Sequence, residues 1–325
     1  MVLYLNILDK SEDMPHLLRF FFLLFFFALG ISYSQDYTKV DSIVSKYPKR
    51  FGSAAKLAKL ITNDFDKDSD KVRAVFYWIA NNVKYDPKEY DKFGFVYGDK
   101  ADFLEKEKKY NAKLAGRVLS KGAAVCEGYS VLFTAVCSDL GITSRVVSGA
   151  AKTMASDIGK RFYSDHSWNI VEINGKSFLI DVTWGAGSYD TSFKKELDNS
   201  FYLADPKTFI NRHYPENYKD ALLKEKISKE QFSRAPLLYE SDFTLIAPTA
   251  GILKKHQKKV RFQFLCRPGT YAVDYDIDSK QFSLGDIKSE NDRLSFEITL
   301  QNTTRARELV VYIYYKPIVL YRLMK

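Results

Sequence analysis

Asn174-Gly175 stands between two runs of eight residues, His166–Ile173 and Lys176–Thr183, in which apolar and polar side chains largely alternate. This dipeptide accepts positive φ at both central positions of a tight turn, and the twist of such a turn matches that of two antiparallel strands. A two-residue turn also sets the register, so positions equidistant from it pair. Trp168 then opposes Asp181, and His166 opposes Thr183. His166 and Asp181 become diagonal neighbours on one face, about 7 Å apart along the backbone and within side-chain reach. A slip of one residue would send them to opposite faces.

Upstream, Lys121-Gly122-Ala123-Ala124 interrupts the chain, and Val125–Leu140 reads as a helix ended by Gly141. Cys126 falls in its first turn, where unpaired amide N–H groups and the positive end of the helix favour an anion. The thiolate is the nucleophilic form of cysteine. Glu127 opposes such an anion, so its carboxylate has to point away. Taken singly, His166 reads as a half-buried sheet histidine and Asp181 as a strand-end carboxylate. Behind a cysteine at a helix start, the pair reads as a thiol nucleophile, Cys126, its base, His166, and the group that orients the base, Asp181. The other two cysteines read otherwise. Cys137 lies eleven residues beyond Cys126 on the same helix, about 16 Å away, beyond the roughly 7 Å Cα limit for a disulfide. It reads as a buried small hydrophobe, and Cys266 as a strand residue. Three cysteines do not make a disulfide scaffold.

With 325 residues and 46% hydrophobic content, the chain can bury one full core and is expected to divide in two. We place a signal peptide at 1–34, an α+β domain at 35–235 and a β-sandwich-like domain at 236–325. Phe20–Ile31 is an apolar run behind Arg19, followed by Ser32-Tyr33-Ser34. It is shorter than the roughly 18 residues of a membrane span and reads as a secretory signal cut after Ser34, with Met14 as an alternative start. That predicts a periplasmic or extracellular protein. The net charge of +9 is dispersed. Its densest patch, Lys254, Lys255, Lys258 and Lys259, reads as a solvated turn or as a contact to an anionic envelope surface. No nucleic-acid recognition motif is present. The alternating carboxylates Asp64, Asp66, Asp68 and Asp70 imitate a calcium loop, but Ser69 and Val75 stand where glycine and glutamate are needed. They read as helix capping by Asp68 or Ser69. Neither a metal nor a cofactor is expected. Gly185-Ala186-Gly187 reads as a turn, and His213, beside Tyr214-Pro215, as a structural histidine without a partner motif.

The remaining elements are coarser. Tyr37–Asp64 has a helical pattern. Val72, Val75, Phe76, Ile79 and Val83 mark a second, core-facing helix, joined in that core by Trp78 and Tyr85 and stopped at Tyr85-Asp86-Pro87. Residues 88–120 read as loop plus a short helix, with Glu105–Lys109 as a solvated charged face. Ser144–Ala150 reads as a strand, and Leu222–Arg234 as a charged helix or linker. From Asp242, the runs Phe243–Ile246, Val260–Leu265, Tyr271–Tyr275, Leu294–Leu300 and Leu309–Tyr315 read as strands of a sandwich.

Three blocks, Cys126-Glu-Gly-Tyr-Ser, His166-Ser-Trp-Asn and Asp181-Val-Thr-Trp-Gly-Ala-Gly, resemble those of the transglutaminase-like cysteine peptidase superfamily. Phe201-Tyr-Leu-Ala-Asp-Pro206 and His213-Tyr-Pro215 further resemble its kyphoscoliosis peptidase-like branch. The resemblance runs from about Val72 to Pro215. It implies a papain/transglutaminase-like α+β core, with the Cys126 helix packed on an antiparallel sheet that carries His166 and Asp181, and it implies thioester chemistry on a protein or peptide substrate. The function so implied is an exported thiol enzyme that hydrolyses peptide or isopeptide bonds. The alternatives are a γ-glutamyl cross-linking transferase and a catalytically silent scaffold. The Cys126 backbone N–H is one candidate oxyanion donor, with Tyr85 or Tyr110 as the second.

Overall fold

Two helices replace the single helical stretch read at the start of the chain, because Pro48 and Gly52 lie between Thr38–Val44 and α1 (Ala54–Asp64). The computed structural model describes residues 37–90, 99–239, 242–300 and 306–325. The signal-peptide reading of residues 1–34 lies outside them. Among the described residues, no helix is long and apolar enough to cross a membrane.

Ser53 caps α1 by accepting the Lys56 N–H at 3.3 Å. In α2 (Asp68–Asn82) the N-cap is Lys67, without a side-chain cap; Asp68 and Asp70 sit inside the first turn, where their charge suits the helix dipole. The capping reading of Asp68 or Ser69 was therefore one to two residues late. The α2 face carrying Val72, Val75, Phe76 and Ile79 is buried as its spacing predicts. It also buries Arg73, whose guanidinium forms two bonds to Asp41, at 2.8 and 2.6 Å. Trp78 is buried with its indole N–H on the Pro48 carbonyl at 2.9 Å.

The largest departure from the sequence reading is α3 (Lys100–Lys121), a 22-residue helix where loop and a short helix were expected. It buries only Ala115, Val118 and Leu119, all in its last two turns, so most of its length has no apolar stripe to read. Its start is capped by Asp99, and its exposed face carries i,i+4 pairs between Lys106 and Asp102 and between Lys109 and Glu105. Gly122 ends it in the left-handed region, at φ 64°. A Cβ there would lie 2.1 Å from the Arg50 guanidinium. The next two residues, Ala123 and Ala124, pair in parallel with Lys84 and Tyr85, and α4 (Cys126–Asp139) begins at once.

α4 packs on a four-stranded antiparallel sheet. The strands are β1 (Ser144–Ala151), β2 (His166–Ile173), β3 (Lys176–Ile180) and β4 (His213–Pro215), in the order β3-β2-β1-β4. Asn174 and Gly175 turn with φ of 52° and 72°, and Ile173 pairs with Lys176 and Asn169 with Ile180, the register the turn demands. The strand stops sooner than expected. β3 ends at Ile180, and Asp181 leaves the ladder to cap the short helix Val182–Gly185. Its own N–H goes to the Phe201 carbonyl at 3.0 Å. Gly149 of β1 pairs with both His166 and Pro215. A Cβ at this position would lie 2.3 Å from the Tyr214 carbonyl oxygen and 2.4 Å from the Trp168 ring, so only glycine lets β4 close on this edge.

The C-terminal region is built of strands, as read, but with more of them. One sheet runs β6 (Thr244–Ala247), β8 (Lys259–Leu265), β11 (Arg293–Thr299), all antiparallel. The other runs β7 (Ile252–Lys254), β13 (Lys316–Met324), β12 (Glu308–Ile313), β9 (Thr270–Ile277), β10 (Lys280–Lys288), with β5 (Leu237–Leu238) also on β13. β7 and β13 are parallel and the other pairs antiparallel. Phe262, Phe264, Leu294, Leu309, Val319 and Tyr321 are buried together in the core of this region.

Candidate active site

α4 presents Cys126 as its first residue, partly exposed, behind the Val125 N-cap. Three bonds hold this part of the helix against its surroundings. Asn169 of β2 donates to the Ser130 carbonyl and to Thr134 Oγ1, each at 3.0 Å, and Tyr129 donates to the Val83 carbonyl at 2.9 Å. Helix and sheet are thus keyed together next to the thiol. Glu127 is turned towards Tyr110, whose hydroxyl donates to its carboxylate at 3.0 Å, which meets the requirement that it point away from a thiolate.

His166 opens β2 and is nearly buried, and its Nε2 lies 2.7 Å from Asp181 Oδ2. That leaves Nδ1 free of Asp181, and Cys126 is near enough to the ring to favour its protonated form. Asp181 is fully buried. Its Oδ1 accepts the N–H groups of Thr183 and Trp184 at 2.9 and 3.0 Å, so the helix cap also aims Oδ2 at His166. The three residues singled out in the sequence are therefore brought together, although through a cap at Asp181 and not through a cross-strand pair.

Electrostatics follow from this burial. For His166, desolvation works against a charge but is outweighed by the Asp181 charge and hydrogen bond and by Cys126, which together push the imidazole up to about 10. Burial also works against the Asp181 carboxylate, yet its bonds to His166 and His213 hold it well below the usual carboxylate range. A protonated imidazole facing an ionised carboxylate is the favoured state at neutral pH.

His213, read as a structural histidine, is the residue that sequence reasoning missed. Its Nε2 lies 3.0 Å from the same Asp181 Oδ2. The His213-Tyr-Pro215 block drew attention to it without linking it to Asp181: β4 has only three residues, and Asp181 comes into reach only when that strand joins the far edge of the sheet. His166, Asp181 and His213 offer ligand atoms within 4.8 Å of one another, and these are donor types that zinc accepts. Their N···O separations of 2.7 and 3.0 Å are those of hydrogen bonds; a tetrahedral ion with bonds of about 2.0 Å would hold ligand atoms roughly 3.3 Å apart.

Of the two tyrosines weighed as oxyanion donors, Tyr85 is the one beside the thiol. It pairs with Ala124, two residues before Cys126. Burial, with Cys126 and neighbouring tyrosines adding to it, pushes its hydroxyl up to about 12. Next to the helix start lies a cavity of about 120 Å³, lined by Glu89, Tyr110, Arg117, Val125, Glu127 and Gly128.

Residues 55–181, the span that ends on Asp181, match the transglutaminase-like superfamily. The chain carries a transglutaminase-like domain over that span. Its similarity to kyphoscoliosis peptidase of Mus musculus, 30% identity over 225 residues, covers 68% of this chain and 31% of that protein, which supports the kyphoscoliosis peptidase-like branch. Hillarin of Drosophila melanogaster is 27% identical over 192 residues, covering 53% of this chain and 21% of that protein. The chain thus spans about a third or less of the length of these curated relatives. A crystal structure of a TGase overlaps 56% of this chain and 42% of its own, with 17% identity and a TM-score of 0.29. Within the superfamily fold, the arrangement at Cys126 has the parts for acyl transfer: a thiol at a helix start, an imidazole that interacts with it electrostatically and a buried carboxylate behind the imidazole.

Proposed function

We propose that this transglutaminase-like protein is a thiol enzyme that hydrolyses peptide or isopeptide bonds through a thioester. The Cys126 proton resides on His166, Asp181 holds the imidazolium, and the sulfur attacks the amide carbonyl carbon. As the C–N bond breaks, His166 returns the proton to the leaving amine; water then attacks the thioester and regenerates the thiol. The observation that carries this reading is a single one: His166 lies 2.7 Å from the fully buried Asp181 carboxylate and is near enough to Cys126 for the two groups to interact electrostatically. Tyr85, with the Cys126 backbone N–H, is our choice for the oxyanion donors, supported by its place beside the thiol.

Iodoacetamide labelling near neutral pH tests it, with Cys266, also partly exposed, as the internal reference. Cys126 should react at least ten-fold faster than Cys266, and His166→Ala should remove most of that advantage. Equal rates, unaltered by His166→Ala, would leave only the scaffold reading. A peptide substrate that turns over only when a primary amine is supplied would replace hydrolysis by cross-linking transfer.

The reading extends to export, which rests on the apolar run Phe20–Ile31; the secreted protein should then begin at Gln35, and a retained Met1 or Met14 would sink it. We also assign the turn around Lys254, Lys255, Lys258 and Lys259 to an anionic envelope surface. Lys259 already pairs with Glu297 at 3.3 Å. Vesicle or polysaccharide binding unaltered by neutralising Lys254, Lys255 and Lys258 would refute that assignment.

A further inference from the structure

We propose that His213 is a positioning residue for this site: its Nε2–H holds Asp181 Oδ2, so that the carboxylate stays anionic and faces His166 throughout a catalytic cycle. This rests on the thiol-enzyme reading above and adds a fourth member to it. An ionised carboxylate only accepts, so the proton in the 3.0 Å contact belongs to His213 Nε2. With the Thr183 and Trp184 amides on Oδ1 and His166 on Oδ2, Asp181 then receives four donors. The proton that His166 gives to a leaving group comes from Nδ1, so all four donors, His213 among them, stay on the carboxylate through that step.

The ring of His213 is fixed for this task. It stacks on Phe209, with centroids 3.9 Å apart and planes at 14°, and lies 4.3 Å from Trp184 and 5.3 Å from Trp168. Pro215, two residues on, is paired with Gly149, the position where no side chain fits. Nδ1 is buried with no hydrogen-bond partner among the described residues. A proton added there would create a second buried cation, facing His166 and Arg212, both of which oppose it; Asp181 alone favours it. Burial pulls the ring down to about 4, so it stays neutral across the working range of a thiol enzyme.

Hydrogen bonds to the ionised form favour it, so losing this donor should raise the Asp181 pKa and loosen its hold on His166. The test is the pH profile of Cys126 alkylation by iodoacetamide in wild type, His213→Gln, which keeps a donor at the Nε2 position, and His213→Leu, which does not. We expect His213→Leu to lose about ten-fold in rate at pH 7 and to shift the acid limb upward by about one pH unit, with His213→Gln within about two-fold of wild type. A folded His213→Leu with the wild-type rate and limb would overturn the proposal, as would a His213→Gln equally impaired. Should His213→Leu fail to fold, the ¹⁵N spectrum of the wild-type histidines decides. His213 should show protonated Nε2 and bare Nδ1 from pH 5 to 8; the other tautomer, or titration within that range, overturns it. Failure of the enzyme reading looks different: Cys126 would be no faster than Cys266 while the tautomer held.

Discussion

Replacing Asp181 by Asn separates charge from shape at the point where the site is most tightly bonded. Asn is isosteric, and its carbonyl oxygen can still accept the Thr183 and Trp184 amides, as Oδ1 does at 2.9 and 3.0 Å. The helix cap therefore survives. At the Oδ2 position there is now an NH₂ group, facing the Nε2 atoms of His166 and His213 at 2.7 and 3.0 Å. Two donors cannot share a contact, so each histidine must move its proton to Nδ1 or turn away. For His166 that puts the proton on the nitrogen that faces Cys126, where it blocks the ring as a base. Losing one charge-assisted hydrogen bond to a buried carboxylate costs about 1.5–3 kcal/mol, which at about 1.4 kcal/mol per decade is roughly a 10- to 150-fold loss in the reactive pair. The wrong tautomer adds to this, and the analogous change in a serine triad costs about 10⁴-fold. We expect Cys126 alkylation in Asp181→Asn to fall by at least about ten-fold near pH 7, and peptide turnover by more. The assay is intact-mass kinetics of iodoacetamide labelling, with Cys266 as reference and circular dichroism as the fold control. A correctly folded Asp181→Asn that alkylates within two-fold of wild type, with the same pH dependence, would refute the reasoning.

Two further perturbations probe the frame and the charges. Gly149→Ala places a methyl 2.3 Å from the Tyr214 carbonyl oxygen and 2.4 Å from the Trp168 ring; overpacking of about 1–3 kcal/mol is expected, read as a melting temperature several degrees lower, and an unchanged melting temperature would show that β4 can shift at no cost. His166 is raised from 6.5 to about 10, so its contribution to stability is complete below about pH 6.5 and disappears as pH rises towards 10; Asp181, lowered from 3.8, contributes fully above that value and less below it. His213, lowered from 6.5 to about 4, penalises the fold as pH falls through that interval. The gap in melting temperature between wild type and His166→Ala should therefore narrow steadily from pH 6.5 to 10, and a constant gap would count against an ionised pair.

The features that the sequence determined by itself are those whose cause lies within a few residues. The Asn174-Gly175 turn carries its own φ preference, at 52° and 72°, and its register put His166 and Asp181 within reach of each other before any tertiary contact was considered. Gly122 ended one helix and so started another on Cys126. The Val72–Ile79 stripe showed its buried face through spacing alone. Even here, the last step was local chemistry that the hairpin pattern concealed: Asp181 caps a helix and does not extend β3, because its Oδ1 is better used on the Thr183 and Trp184 amides than at a strand end.

Tertiary structure decided whatever depended on distant partners. α3 has an apolar face of three residues, too short to register as a period, and is stabilised by a cap and by surface pairs. β10 is exposed or half-buried along its length and is a strand because β9 offers it an edge. Tyr85 reached Cys126 through a two-residue parallel pair, not through proximity in the chain. His213 lay in a block that resembled the branch but had no partner in the sequence pattern, and it meets Asp181 across 32 positions because β4 joins the sheet beside a glycine. Local rules of turn and cap could bring the thiol, the base and the carboxylate into view; the second histidine on that carboxylate came only with the packing of the far edge of the sheet.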